Sequence, residues 1–361
     1  MAEGVTSLGG LNGTLAPPDP ALAGGGDPPT DVWRVVQMVI TVVIFLVGIP
    51  LNGLVVWVLG VRGGRRGGPG GEEPRGAGTF RMYVVHLALA DLLLVLRIPL
   101  MLGYLAAHYS WPFGLAVCRL VMFLRGLGLY ANAFLLCAIS AERCLCLLHP
   151  VWFRMRRPRW TVPLVCALLW LLATVLSTPY LVTSAVVPRA NRSQCLESSG
   201  SAPGLLITET VLGFILPLLL FLTSNLAVLV TARQAGGAVP TSPTTTPTSK
   251  RMVRLYRVLF LTMLLFLTCW VPYFTFRFLL RLAASHPDRA WLFSASVSGV
   301  YVSLYLVYAK SALNPVIYVF AARGLSRTVR ASVFSAVDRI FNEDTSDYAR
   351  RRSLRRTDSQ I

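Results

Sequence analysis

The 361-residue sequence is poor in charged residues: Asp, Glu, Lys and Arg make up 14% of it, against about a quarter in a typical soluble domain. Acidic residues are the scarcer kind, with 16 Asp and Glu against 34 Lys and Arg. Seven cysteines are too few for a disulfide-dense secreted scaffold. Because 54% of the residues are hydrophobic, the composition excludes an ordinary cytosolic enzyme and a disordered chain. It indicates a polytopic membrane protein.

Long uncharged runs predict where the chain crosses the membrane. A spanning helix needs about 20 mostly apolar residues. Five clean runs lie between the charged residues that bound 34–62, 159–189, 209–233, 257–277 and 289–310. Two further apolar stretches are interrupted by charges, one by Asp91 and Arg97 and the other by Arg125. We therefore predict an all-α membrane protein, a seven-transmembrane helix bundle with a short amphipathic eighth helix.

The distribution of basic residues predicts the orientation. The first 33 residues contain no Lys or Arg, whereas the segments after spans 1 and 3, the segment before span 6 and the tail are basic. Since basic loops stay in the cytoplasm, we expect an extracellular N-terminus and a plasma-membrane location. The positive charge then reflects topology and attraction to membrane lipid, not nucleic acid.

The same patterns divide the chain into four predicted regions. Residues 1–33 form a disordered extracellular segment and 34–322 the transmembrane domain. Residues 323–341 form an amphipathic helix on the membrane surface, because apolar and Arg residues alternate there at helical spacing. Residues 342–361 form a disordered cytoplasmic tail, whose final Ile361 could be captured by a PDZ domain.

Two cysteines and two sequons are placed on the predicted outer side. Cys118 opens span 3 and Cys195 lies in the outer loop between spans 4 and 5, so we predict a disulfide between them. Asn12 and Asn191 each begin an Asn-X-Ser/Thr sequence, which predicts glycosylation.

Short motifs occur in order, one per span. Among them are Leu87-Ala-Leu-Ala-Asp91, Glu142-Arg143-Cys144, Cys269-Trp270-Val-Pro272 and Asn314-Pro315-Val-Ile-Tyr318. Over roughly residues 35–341 the chain resembles a rhodopsin-like (class A) G-protein-coupled receptor. His86 before the span 2 motif and the loop ending at Cys195 are similar to chemoattractant receptors, a group that includes the leukotriene B4, prostaglandin D2 and formyl-peptide receptors. The resemblance implies no enzymatic activity and no cofactor, and it implies a heterotrimeric G protein and arrestin as partners.

The motifs also suggest activation switches. Glu142 beside Arg143 predicts a charge pair that holds a closed state. Trp270, beside the helix-kinking Pro272, is suited to sense whether the space above it is filled; packing is the alternative role. Pro315 removes a backbone hydrogen bond inside span 7 and so predicts a second hinge, and Asn314 and Tyr318 of the same motif are predicted switch residues.

Buried arginines predict the ligand. An arginine facing hydrocarbon costs several kcal/mol or more, so Arg97, Arg125 and Arg277 should face the bundle interior at its outer end. Glu209 can neutralise one of them, and the remaining charge predicts an acidic lipid or peptide ligand. We expect three span 7 residues to line the same cavity: Tyr301, Tyr305 and Tyr308. In the alternative, Arg97, Arg125 and Glu209 form an internal salt-bridge network without a ligand role.

A polar core is predicted in mid-bundle. In the receptors that the chain resembles, equivalent polar residues hold a sodium ion that favours the inactive state. Polar side chains at the corresponding positions here are Asp91, Asn132, Ser311 and Asn314. Lys310, however, stands where a neutral residue is usual, and it needs a buried anion. We predict a direct or water-bridged contact of Lys310 with Asp91 in place of sodium; contact with another polar group is the alternative.

Other functions remain open at the level of sequence. Asn225 replaces a tyrosine that many members of the family use to steady the active state, which keeps a receptor-like decoy, or an orphan with weak or ligand-independent coupling, as an alternative. A transporter is disfavoured because no internal repeat is visible. An enzyme is disfavoured because the four histidines are scattered and no carboxylate pair recurs.

Overall fold

The computed structural model describes residues 28–62, 75–148, 158, 160–189, 192–197, 202–236, 247–284 and 290–321. Within this part, seven helices are long and apolar enough to cross a membrane. We number them spans 1 to 7: Asp31–Val61, Gly78–Ala106, Gly114–Glu142, Thr161–Thr183, Gly204–Ser224, Leu264–Ala283 and Trp291–Val316. The predicted seven-span bundle is confirmed. The predicted eighth helix and tail lie outside the described residues.

Several spans are composite. The α-helices run Pro28–Val55, Arg75–Val95, Ile98–Ala106, Gly114–Leu148, Thr161–Ser177, Pro179–Thr183, Ala202–Thr210, Leu216–Gly236, Pro247–Ala284 and Ala290–Ala321. Two π-helical segments, Val56–Arg62 and Val211–Ile215, extend the first helix and divide span 5. Span 2 breaks around Arg97 and span 4 at Thr178, each just before a helix with proline in its first turn. Proline is tolerated there because the first turn has no intrahelical partner for its missing N–H.

Span 3 lies at the centre of the bundle. Its helix, Gly114–Leu148, packs against spans 2, 4 and 5, while span 7 packs against spans 1, 2 and 6. The largest buried cluster draws residues from every span: Val58, Leu87, Leu135, Cys166, Phe221, Phe266 and Val300 are members. This apolar core fixes the rotation of each helix, and thereby the polar side chains that point inward.

An antiparallel hairpin covers one end of the bundle. Strands β1 (Ser184–Arg189) and β2 (Arg192–Glu197) pair with Val186 opposite Cys195. The predicted Cys118–Cys195 disulfide is present and joins β2 to the start of span 3. The Trp111 N–H also donates to the Ser193 carbonyl at 2.7 Å. We call this the hairpin end.

Candidate functional site

Arg125 of span 3 is the centre of a charged cluster beneath the hairpin. Its guanidinium donates to the Glu209 carboxylate of span 5 at 2.9 Å and to the Glu197 carboxylate of β2 at 2.9 Å. It also donates to the Tyr273 hydroxyl of span 6 at 2.9 Å. One arginine thus connects two other spans and the hairpin.

Arg277 of span 6 contacts the same two carboxylates. Its nitrogens lie 2.6 Å from a Glu209 oxygen and 3.7 Å from a Glu197 oxygen. Both glutamates are buried. We call Arg125, Arg277, Glu197 and Glu209 the ionic cluster; its two cations and two anions carry no net charge.

This arrangement differs from the sequence prediction in two ways. Glu209 contacts both arginines, where the sequence assigned it only one. Glu197, which sequence reasoning missed, supplies the second carboxylate. A signal for it existed: Cys195 and Glu197 are two apart in a strand, so they share a face, and the disulfide turns that face towards the bundle.

A glycine permits the close packing around Glu209. A Cβ at Gly126 of span 3 would lie 2.9 Å from the Tyr180 ring, which is too close for an unshifted side chain. The Tyr180 hydroxyl donates to Glu209 at 3.2 Å, and the Arg125 guanidinium lies 5.1 Å from the Tyr180 ring centroid. The small residue therefore lets span 4 approach the ionic cluster.

Arg97 lies apart from the ionic cluster, at the break in span 2. Its side chain is turned to span 7, where it hydrogen-bonds the Tyr308 hydroxyl and lies 5.6 Å from the centroid of that ring. Arg97 is 9% exposed, and its Nε and Nη1 atoms have no hydrogen-bond partner among the described residues. The three arginines that the sequence placed in one cavity therefore divide into a neutralised pair and a separate cation.

Two other span 7 tyrosines follow the Tyr308 side of the helix. Tyr301 is buried and lies near Tyr104, while the half-buried Tyr305 lies near Thr41 of span 1. Neither hydroxyl meets hydrogen-bond geometry with a described residue. Polar side chains therefore continue along this side of span 7, each hydroxyl near one polar neighbour.

The mid-bundle polar residues form a chain of hydrogen bonds, which we call the amide relay. Lys310 Nζ donates to the Asn132 side-chain oxygen at 3.0 Å, and the Asn132 amide donates to Asp91 at 2.8 Å. Asn314 donates to the other Asp91 oxygen at 2.7 Å. Asn132 thus stands between the two charges that the sequence predicted in direct or water-bridged contact.

Ser311 and the first span complete this region. Ser311 is fully buried, and its backbone carbonyl accepts a hydrogen bond from Asn52 at 3.0 Å. Asn52 also donates to the Gly48 carbonyl, so it couples spans 1 and 7 beside the amide relay. Buried polar groups must find such partners because desolvation without them is costly.

The predicted switch residues lie below the ionic cluster and at the opposite end. The buried Trp270 ring packs against Tyr273, with centroids 5.4 Å apart, so an aromatic contact links it to a tyrosine that both cluster arginines use. Pro272 and Pro315 lie inside their helices. Glu142 is buried at the far end of span 3.

Four predicted positions lie outside the part of the chain that the structure describes. The side chains of Arg143 and Tyr318 lie outside the described part, as do both predicted glycosylation sites, Asn12 and Asn191.

Comparison with known proteins gives the class of the chain. Residues 73–318 match the family model described as 7 transmembrane receptor (rhodopsin family). The chain belongs to the rhodopsin family of seven-transmembrane receptors. Membership agrees with the sequence resemblance and gives a multi-pass plasma-membrane receptor, not an enzyme.

Individual relatives of the receptor include chemotactic, prostaglandin and angiotensin receptors. It is 32% identical to the C5a anaphylatoxin chemotactic receptor 1 of Oncorhynchus mykiss, over 93% of this chain and 91% of that protein. It is 28% identical to the prostaglandin D2 receptor 2 of Rattus norvegicus, over 83% and 72% of the two chains. It is 30% identical to the type-1 angiotensin II receptor of Oryctolagus cuniculus, over 67% and 68%. The receptor is therefore related to chemoattractant receptors, as its motifs suggested.

Proposed function

We propose that the receptor recognises an acidic lipid or peptide ligand at its hairpin end and signals to a heterotrimeric G protein. The observation that carries this proposal is a charge excess. Arg97, Arg125 and Arg277 lie in this half of the bundle with two buried carboxylates, Glu197 and Glu209. One positive charge is left for an anion to neutralise, since a buried cation without an anion is unfavourable.

The relatives support the same class of ligand. One named relative is a prostaglandin D2 receptor, and two others are a C5a anaphylatoxin chemotactic receptor and an angiotensin II receptor. A hairpin end that faces the extracellular side, with the N-terminus also outside, would admit such ligands. This orientation agrees with the basic segments at the opposite ends of the spans.

The test is a cell assay with matched ligands. Cells that express the receptor are exposed to anionic lipids and peptides and to their neutral amides, while G-protein activation and arrestin recruitment are recorded. We expect responses to acids and not to amides. Equal responses to both members of every pair contradict the proposal. Ligand binding without G-protein activation favours the decoy that Asn225 suggests.

We also propose that Lys310 supplies a permanent cation to the polar core. Its ammonium donates to Asn132, and Asn132 in turn donates to Asp91. The ammonium of Lys310 thereby provides the positive charge that a diffusible sodium ion provides in the class A receptors that the sequence resembles. A tethered cation cannot be diluted away, so the inactive state would not depend on external sodium.

Three cytoplasmic partners belong to the proposal as well. Arrestin is expected from the family resemblance. A PDZ protein would bind the C-terminal Ile361, and lipid headgroups would bind the basic helix predicted over 323–341. These segments lie outside the described residues.

A further inference from the structure

We infer that Arg97 is the anchor for the ligand's anionic group, and that the ligand is an amphiphile with a single carboxylate on an apolar body. This inference rests on the proposed function and names the residue and the ligand class. It differs from the sequence prediction, in which three arginines share the ligand.

The other two arginines, Arg125 and Arg277, are already neutralised. Each guanidinium of the ionic cluster contacts both buried glutamates, and both donate to the Tyr273 hydroxyl. A ligand carboxylate that approached them would meet two carboxylates already in place, at the cost of like-charge repulsion. The ionic cluster is therefore a poor site for a further anion.

Arg97, in contrast, is only partly hydrogen-bonded. A guanidinium has five N–H donors. Nη2 of Arg97 bonds to Tyr308, while its Nε and Nη1 have no partner in the described part of the chain. No carboxylate within that part forms an ion pair with it. A buried cation with unused donors is the arrangement that a forked carboxylate hydrogen bond completes.

Arg97 lies in the same half of the bundle as the ionic cluster. Arg97 is close enough to Arg125 and Glu209 for their charges to interact, so it belongs to the same interior region. The hydroxyls of Tyr305 and Tyr301, which lie near Thr41 and Tyr104, are about one and two turns along span 7 from the Tyr308 that holds it. These hydroxyls provide donors for the second carboxylate oxygen or for a neighbouring ligand hydroxyl.

The surroundings of Arg97 indicate that the rest of the ligand is apolar. The residues around Arg97 are hydrophobic: Val95 and Ile98 flank it in span 2, and they pack with Ile44, Tyr308 and Ala312 in one buried cluster. In these surroundings Arg97 can neutralise one charged group of a ligand. A second charged group on the ligand would be buried without a partner. A carboxylate joined to a hydrocarbon chain, or to a peptide's hydrophobic C-terminal residue, satisfies both conditions.

The experiment compares acids with their amides on purified receptor. Two probe pairs are used: a long-chain fatty acid with its primary amide, and a hydrophobic pentapeptide with a free or amidated C-terminus. Affinities are measured for the wild type, Arg97→Gln, Arg125→Gln and the matched control Arg119→Gln. Arg119 lies in span 3 at the hairpin end of the bundle. Among the described residues it bonds only to the backbone carbonyl of Ser184.

We expect the wild type to prefer the acid over the amide in one pair by roughly 10- to 100-fold, as for a hydrogen bond to a charged group. The pair that shows the preference identifies a lipid or a peptide source. Arg97→Gln should abolish the preference, and Arg119→Gln should leave it intact. If Arg97→Gln does not fold, Arg97→Lys keeps the charge but not the fork, and roughly tenfold weaker acid binding is expected.

Three outcomes would overturn the inference. The acid preference could survive Arg97→Gln and disappear in Arg125→Gln, which would keep the proposed function and move its anchor. Arg97→Lys could bind the acid as tightly as the wild type. The wild type could show no preference in either pair, in which case the broader cell assay decides the proposed function separately.

Discussion

The ionic cluster and the amide relay are both buried and both contain opposite charges, but they join those charges differently. In the ionic cluster guanidinium and carboxylate are in direct contact, at 2.6 to 2.9 Å for the three shortest pairs. In the amide relay the Asn132 carboxamide separates ammonium from carboxylate. The first is a direct ionic link between elements, while the second is a pair of charge-assisted hydrogen bonds that meet at a neutral carboxamide.

The difference indicates that the ionic cluster holds the structure in place and that the amide relay permits conformational change. Direct buried ion pairs are strongly destabilised when one partner is lost, so the ionic cluster should hold span 3, span 5, span 6 and β2 in fixed positions. Asn132 can accept from Lys310 and donate to Asp91 because a carboxamide has both functions. Such a bridge can exchange partners when spans 2, 3 and 7 shift, which suits a region that changes between receptor states.

Loss of Glu209 should give the largest effect. In Glu209→Gln the two arginines share only Glu197, and we expect a loss of about 3–5 kcal/mol in stability. The measurement is the thermal unfolding midpoint of the purified receptor, together with its amount at the cell surface. The corresponding change Glu197→Gln should cost less, because Glu197 has one close contact and one at 3.7 Å.

A double variant checks the cause. Glu209→Gln with Arg277→Gln removes one charge of each sign, so it should recover part of the lost stability. If the double variant is no more stable than Glu209→Gln alone, unpaired charge is not the reason for the loss.

An intermediate effect is expected when the bridging amide is removed. Asn132→Leu keeps the approximate size of the side chain but leaves Lys310 and Asp91 without their common partner. We expect a loss of about 1–3 kcal/mol, below that of Glu209→Gln, because the two charges can then approach each other. Asn52→Leu is the control, since Asn52 bonds only to backbone carbonyls of Gly48 and Ser311 among the described residues. A loss as large as that of Glu209→Gln would contradict the contrast between the two regions.

The smallest effect concerns sodium. The unfolding midpoint of the wild type should be the same in sodium and choline chloride at equal ionic strength, because Lys310 already supplies the cation. Lys310→Asn should gain about 1.4 kcal/mol in sodium at ten times the dissociation constant of the ion. Strong sodium dependence of the wild type would be evidence against a tethered cation.

The sequence predicted the fold well because each span leaves a local signal. An uncharged run of sufficient length must be a helix in lipid, and a charge such as Asp91 or Arg125 within one must face the interior. The disulfide was also predictable, since Cys118 and Cys195 were the cysteines on the predicted outer side. These inferences require only the position of each residue along its span, that is, its depth in the membrane.

Pairing between residues was harder to predict because it depends on helix rotation and loop paths. Depth put Arg97, Arg125 and Arg277 near one another, but only packing turned Arg97 towards Tyr308 and Arg277 towards Glu209. Depth likewise brought Lys310 close to Asp91 without revealing that Asn132 lies between them. Glu197 was missed because it lies in a short strand outside the uncharged runs.

The place of Glu197 on the hairpin has a consequence for how the receptor matures. Glu197 is two residues beyond Cys195, and the bond to Cys118 fixes the strand that carries it. Before that bond forms, we expect the two guanidiniums of the ionic cluster to face Glu209 alone. Oxidation in the secretory pathway is therefore expected to do more than fix a loop: it positions the second carboxylate of the ionic cluster. A newly made chain with reduced cysteines should be open to protease and chaperone at this end until the thiols close.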